Sequence, residues 1–218
     1  SSILVCDYLL SKCFEMMVED GNLELLKLLA TTSSEIAQGE VLQLQHNKEI
    51  DILEETYLNI ISSKTASLFA AATKVGAIIA EKDLKYKNAL EFYGKNLGLT
   101  FRIADDTLDY NSELKLFGKN IGNDFYEGKV TLPIILLYQK VDKLEKEKLK
   151  SFFEKDIREK QDLEHVLDLI KKNNVINECY KKAEHYINLA SNSLSVFEES
   201  DEKNILKSLT SFSIERNF

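Results

Sequence analysis

The segment FRIADDTLDY, Phe101 to Tyr110, threads Asp105, Asp106 and Asp109 between apolar residues, with Arg102 just upstream. At about 100° per residue in a helix, Asp105 and Asp109 lie about 40° apart and Asp106 about 100° from Asp105. All three are thus expected to project into one sector. Bare carboxylates at about 4 Å repel by roughly 4 kcal/mol at an effective dielectric of about 20. An apolar bundle gains nothing from that arrangement unless a cation is shared among the oxygens. Mg²⁺ suits it, because this hard ion takes oxygen ligands, keeps several waters and is commonly shared with substrate phosphates. The bland alternative is a solvated acidic helix end, since Asn111 opens a loop.

The neighbouring sequence favours the metal. Directly C-terminal comes GKNIGNDFYEGK, in which Lys119 and Lys129 flank Asp124 between glycines. Upstream, Lys64 and Thr65 sit in the otherwise apolar SSKTASLFAAA. A lysine in such a place needs an anion or a route to water. Asp7, in ILVCDYLL, raises the same question with the opposite sign. Carboxylates with a metal, two or three lysines and a hydroxyl inside an apolar bundle make a place for a diphosphate on an apolar tail.

These residues need long helices to hold them. One proline and eight glycines in 218 residues argue against a turn-rich β architecture. Apolar residues recur at spacings of three and four, which predicts amphipathic helices. The expected helices cover residues 2–19, 22–46, 51–81, 84–110, 130–139, 143–153, 157–172, 174–198 and 201–215. TASLFAAATKVGAIIA is apolar over most of its circumference, which places it at the centre of a bundle. Residues 111–129 form the longest irregular stretch, of a length that is uncommon inside a compact domain and often functional. Pro133 fits the first turn of the following helix. The expectation is one all-α domain spanning residues 1–218.

Bulk properties exclude other classes. With a net charge of −8 and three arginines (Arg102, Arg158 and Arg216), the chain carries no basic stripe for nucleic acid. Cys6, Cys13 and Cys179 show no metal-ligand spacing and read as reduced core thiols of a cytoplasmic protein. His46, His165 and His185 are scattered and read as surface or capping residues. No apolar run is long enough for a transmembrane segment. The chain begins in mid-helical pattern without a methionine, which reads as a first part missing.

The stretches SILVCDYLLSKCF, SSEIAQGEVLQL, SSKTASLFAAA, YGKNLGLTFRIADDTLDY and GKNIGNDFYEGKVTLPIILLY resemble, in order, the trans-isoprenyl diphosphate synthase (polyprenyl synthetase) family. The likeness is greatest to its long-chain, octaprenyl-type bacterial members and runs from Ser2 to Tyr138. It implies an isoprenoid-synthase-type helical bundle, here N-terminally incomplete, and a homodimer. It also implies Mg²⁺-dependent condensation of an allylic prenyl diphosphate with isopentenyl diphosphate, giving a polyprenyl diphosphate of the kind used for quinone side chains. By resemblance, Asp105 is the main metal ligand of the second aspartate-rich motif, supported by Asp106 and Asp109. Lys64, Lys119 and Lys129 would hold the allylic diphosphate, with Thr65 near the departing oxygen and Asp7 orienting Lys64. Phe69 and Phe101 would serve as channel wall or as ordinary core.

The chain departs from the family in three ways. The first aspartate-rich motif and the basic residues for isopentenyl diphosphate are absent. Arg102 stands where the family has glutamine, able either to bond a diphosphate or to pair with Asp105 against Mg²⁺. Cys6 stands where glycine is usual. Two alternatives remain: a non-catalytic helical subunit, and a class I terpene cyclase, whose motif normally ends in a longer-spaced Ser/Thr and Glu rather than DDTLD.

Overall fold

Helix boundaries follow from side chains able to take the first free N–H groups. Asn22 Oδ1 accepts from the N–H of Glu24 at 2.9 Å and of Leu25 at 3.2 Å, starting the helix Leu23–Gln45. Asp142 and Ser200 likewise cap the helices Lys143–Glu154 and Asp201–Phe212, and Glu159 forms a reciprocal capping box with Asp162 for Lys160–Lys172. Pro133 lies in the first turn of Leu132–Lys140, as its lack of an N–H allows. The computed structural model describes residues 2–111 and 121–213, and every element in them is helical.

In chain order these are α1 (Ser2–Asp20), α2 (Leu23–Gln45), α3 (Glu54–Ile61), a π-helical turn (Ser62–Ala66) and α4 (Ser67–Ile79). After them come α5 (Leu84–Leu108), α6 (Asn123–Glu127), α7 (Leu132–Lys140), α8 (Lys143–Glu154) and α9 (Lys160–Lys172). The last are α10 (Val175–Ser193), a 3₁₀ turn (Leu194–Val196) and α11 (Asp201–Phe212). The expected helix 51–81 runs on from Glu54 to Ile79 with a change to π winding at Ser62–Ala66, and 174–198 tightens to a 3₁₀ turn at its end. α6 lies in the stretch read as irregular. Among the described residues no helix is long and apolar enough to cross a membrane.

α5 is the axis of the bundle, packed lengthwise between α4 and α10. Tyr93 and Ile103 on α5 are fully buried, as are Phe125, Leu132, Ile134, Leu137, Leu149 and Phe153 around its C-terminal half. The expected central place of α4 is corrected. Its Leu68 and Ile79 are exposed, and Ala70, Ala71, Lys74 and Ile78 line a groove of about 790 Å³ shared with α2 and α5. The close α4–α5 approach depends on Gly94, where a Cβ would lie 2.3 Å from the Phe69 carbonyl oxygen. Gly76, on the same α4, has nothing within 4 Å of a Cβ position.

The cysteine reading is also corrected. Only Cys179 is buried, its thiol pushed up to about 12 by burial, whereas Cys6 and Cys13 are exposed on α1. Cys6 therefore replaces a family glycine on a face that meets solvent. Native protein is expected to react with a thiol reagent rapidly at Cys6 and Cys13, and at Cys179 only after unfolding; peptide mapping of the labelled chain checks this. Gly94→Ala is expected to cost about 1–3 kcal/mol from overpacking. Gly76→Ala should stabilise by about 0.5–1 kcal/mol by restricting the unfolded chain and favouring helix. Urea unfolding of the two variants measures both.

Candidate functional site

The last two turns of α5 deliver Arg102, Asp105, Asp106 and the C-cap residue Asp109 to one end of the bundle. That end already carries the negative pole of the helix dipole, so carboxylates there are doubly unfavourable without a cation. Asp106 is 1% exposed. Its Oδ2 accepts from the Tyr57 hydroxyl at 2.8 Å, and its Oδ1 lies 2.5 Å from Arg102 Nη2. The second contact is a charge pair without the alignment of a hydrogen bond, since Oδ1 has no hydrogen-bonding partner. Arg102 Nη1 donates to Asp105 Oδ2 at 3.1 Å, so one guanidinium spans both carboxylates. Burial pushes the Asp106 carboxyl up to about 7, against the downward pull of Arg102. Burial and Asp106 together raise the Tyr57 phenol well above its ordinary range, which keeps it a neutral donor.

Asp109 has a different occupation. Its two oxygens accept from the N–H groups of Asn123 at 3.1 Å and Asp124 at 2.9 Å, at the start of α6. Among the described residues no three His, Cys, Asp or Glu side chains gather closely enough to hold a metal ion. The expected convergence of Asp105, Asp106 and Asp109 into one sector is thereby corrected. Asp105 faces solvent, Asp106 faces the core, and Asp109 is drawn to the free N–H groups of α6.

Lys129 arrives at the same end from the turn after α6. Its Nζ lies 2.5 Å from Glu127 and 3.5 Å from Asp124 Oδ1. Burial alone would lower its pKa, but Glu127 and Asp124 outweigh burial and the net shift is upward. Arg158 secures this turn from below, donating to the carbonyls of Phe153 at 2.6 Å and Tyr126 at 3.2 Å. Gly128 makes that possible. Its φ is +74°, and a Cβ there would meet Arg158 Nη2 at 2.7 Å.

Lys64 projects from the π turn, where it pairs with Glu40 and donates to Gln43 Oε1 at 2.7 Å. Thr65 follows it, half-buried. Gln43, Tyr57, Arg102, Asp106 and Lys129 together line a cavity of about 20 Å³, room for one water. Lys64 thus joins the acidic end through Gln43. The role expected of Asp7 is corrected: it is exposed on α1, and Lys64 takes its partners from α2 instead. Phe69 and Phe101 stack with ring centroids 5.5 Å apart. Lys119 and Arg216 lie outside the described residues.

The sequence reading missed Tyr57, Glu40, Gln43 and Arg158. Tyr57 is 49 residues from Asp106, and nothing local marks the pairing. The π turn did leave a signal in the mid-helical Gly39 of α2. A Cβ there would lie 2.6 Å from the Lys64 nitrogen, so α2 and the turn touch through backbone. π turns recur at functional sites because they re-aim one residue out of helical register.

The donors fit a hard divalent cation, since Asp105 and Asp106 offer carboxylate oxygens that one cationic group, the Arg102 guanidinium, already bridges. Tyr57→Phe removes the one hydroxyl donor to the buried carboxylate. It is expected to cost about 1–3 kcal/mol of stability, read from urea unfolding at neutral pH.

Comparison with known proteins fixes the family. The polyprenyl synthetase family model matches residues 1–170. The chain is 35% identical over 216 residues to an all-trans-nonaprenyl-diphosphate synthase (geranyl-diphosphate specific) of Rhodobacter capsulatus, covering 99% of this chain and 66% of that protein. It is 32% identical over 223 residues to a short chain isoprenyl diphosphate synthase of Methanothermobacter thermautotrophicus, covering 99% and 67%. Among solved structures, a polyprenyl synthase of Caulobacter crescentus, complexed with calcium and isoprenyl diphosphate, superposes with a TM-score of 0.93 at 37% identity. That match covers 100% of this chain and 66% of the other. The chain spans about two thirds of the length of these relatives. The family model, the sequence identities and the shared fold agree: the chain belongs to the polyprenyl synthetase family.

Proposed function

We propose that this chain carries the diphosphate-handling part of a Mg²⁺-dependent trans-prenyltransferase, one that condenses an allylic diphosphate with isopentenyl diphosphate. The observation that carries the reading is the meeting of Asp106, Arg102 and Lys129 around one small cavity at the acidic end of α5, with Lys64 linked in through Gln43. Asp105 and Asp106 would hold the metal, and Mg²⁺ when bound supplies charge to stabilise a departing diphosphate. Lys64 and Lys129 are cations within reach of that end and would hold the diphosphate oxygens, with Lys119 as a third. Thr65 would stand beside Lys64. Asp109 and Asp124 order the start of α6 and so set where Lys129 stands. The half-buried pair Phe69 and Phe101 offers an apolar wall, which keeps water from an allylic cation.

The likeness to long-chain relatives supports a long polyprenyl product of octaprenyl type, a precursor of quinone side chains. Short-chain relatives at similar identity make product length the first property to measure. A cytoplasmic homodimer completes the reading, supported by the exposed apolar side chains of α1, among them Ile3, Leu4, Tyr8 and Leu9. A second reading, a non-catalytic helical subunit, is favoured by one observation. Arg102 engages both metal-facing carboxylates at once.

Titration calorimetry with inorganic diphosphate, with and without Mg²⁺, tests the proposal on the chain as it stands. Binding is expected only with Mg²⁺, weakened about ten- to a hundredfold in Asp105→Ala, the effect of about 1.5–3 kcal/mol for contacts to charged groups. Metal-independent binding, or binding indifferent to Asp105, would refute the site assignment. Prenyl transfer is then assayed on a chain of the relatives' full length. Tight Mg²⁺-dependent diphosphate binding without turnover there would favour the non-catalytic subunit.

A further inference from the structure

We infer that Arg102 is a resident counter-cation of the acidic site, holding the place between Asp105 and Asp106 that a divalent ion must take, so that metal binds only by displacing it. The inference rests on reading those two aspartates as metal ligands. Three observations carry it. Arg102 uses its two terminal nitrogens on two different carboxylates, Nη1 on Asp105 at 3.1 Å and Nη2 against Asp106 at 2.5 Å. Its side chain is 24% exposed and that of Asp106 1%, so this contact is shielded from solvent, whereas Asp105 is 57% exposed and its pair with Arg102 lies at the surface. Asp106 Oδ1, the oxygen a metal would use, faces the guanidinium without an aligned hydrogen bond. The contact is a close ion pair, so a metal ion can take this oxygen only if the guanidinium leaves it.

The guanidinium carries five N–H donors, and the structure sets one terminal nitrogen against each of Asp105 and Asp106, so the nearest anions to Arg102 are the chain's own carboxylates. Lys129 is not an equivalent competitor, because its ammonium is taken up by Glu127 and Asp124. Two cations claiming the same pair of carboxylates exclude one another, so the apparent metal affinity falls by the fraction of chains in which Arg102 has let go.

The test is Mn²⁺ binding to the 218-residue chain, followed by electron paramagnetic resonance, in the parent, Arg102→Gln, Arg102→Lys and Asp105→Ala. Circular dichroism melts confirm that each variant is folded. Arg102→Gln is expected to bind Mn²⁺ about tenfold or more tightly than the parent. Arg102→Lys should lie between them, since an ammonium is a point charge that cannot span both carboxylates as a planar fork does. Asp105→Ala should bind most weakly. Equal or weaker binding in Arg102→Gln, while Asp105→Ala still abolishes it, overturns the inference and leaves the metal reading intact. If Asp105→Ala binds like the parent, or neither parent nor Arg102→Gln binds at millimolar Mn²⁺, the metal reading fails and the inference with it. Should Arg102→Gln not fold, Arg102→Lys decides: tighter binding than the parent supports the inference, and unchanged binding overturns it.

Discussion

The burial of Asp106 sets the terms for the rest of this end of the molecule. A carboxylate removed from water must be compensated by protons, hydrogen bonds or opposite charge. Here the compensation comes from two directions, a hydroxyl on α3 and a guanidinium one turn earlier on α5. The Tyr57 contact ties α3 to α5, and α3 leads without a break into the π turn that presents Lys64. The position of one proposed diphosphate ligand therefore depends on the neutralisation of an aspartate in another helix. Asp109 extends the same logic outward, spending both oxygens on the first N–H groups of α6.

The opposite side of the site is built on a cation instead. Arg158 is 6% exposed and lies over the rings of Phe125 and Phe153, with its terminal nitrogens on two carbonyl oxygens. This clamp fixes the turn carrying Lys129 against the core formed by α6 and α8. A left-handed glycine at residue 128 is required on both counts, for the turn and for the guanidinium beside it. The site is thus hung between a buried anion and a buried cation, each supplied by a different part of the chain.

Most of the helices were legible in the sequence because their apolar period and caps are local properties. The changes of winding were less so. The π turn inserts one residue into an otherwise continuous helical pattern, which periodicity alone does not reveal, and only Gly39 on the facing helix hinted at it. α6 is five residues long, too short to show a period. For the site, the residue types were legible and their directions were not. An angular estimate places Asp105, Asp106 and Asp109 in one sector, but a step of about 100° at a helix surface separates core from solvent. Asp7 misled for a related reason, because a charged residue in an apolar run was read as buried when that face of α1 is open. Tyr57 and Arg158 act across 49 and 32 residues, and pairings of that range leave no mark in a single sequence.

Each cation proposed to hold a diphosphate and described in the structure already has a carboxylate of its own. Lys64 has Glu40, Lys129 has Glu127 and Asp124, and Arg102 has Asp105 and Asp106. The chain is self-neutralised where a highly charged ligand is expected. These pairs do not resist exchange equally. Lys64 and Lys129 are each about a third exposed and their nearest partners about half exposed. Pairs of that kind are worth about 0–1 kcal/mol, so an incoming diphosphate can take the lysines at little cost. Arg102 differs, because releasing it leaves Asp106 buried without its counter-charge, so the carboxyl must take up a proton or another cation must enter in the same event. The lysines can therefore bind anions one at a time, whereas the Asp106 end changes hands only by exchanging Arg102 for a proton or a metal ion.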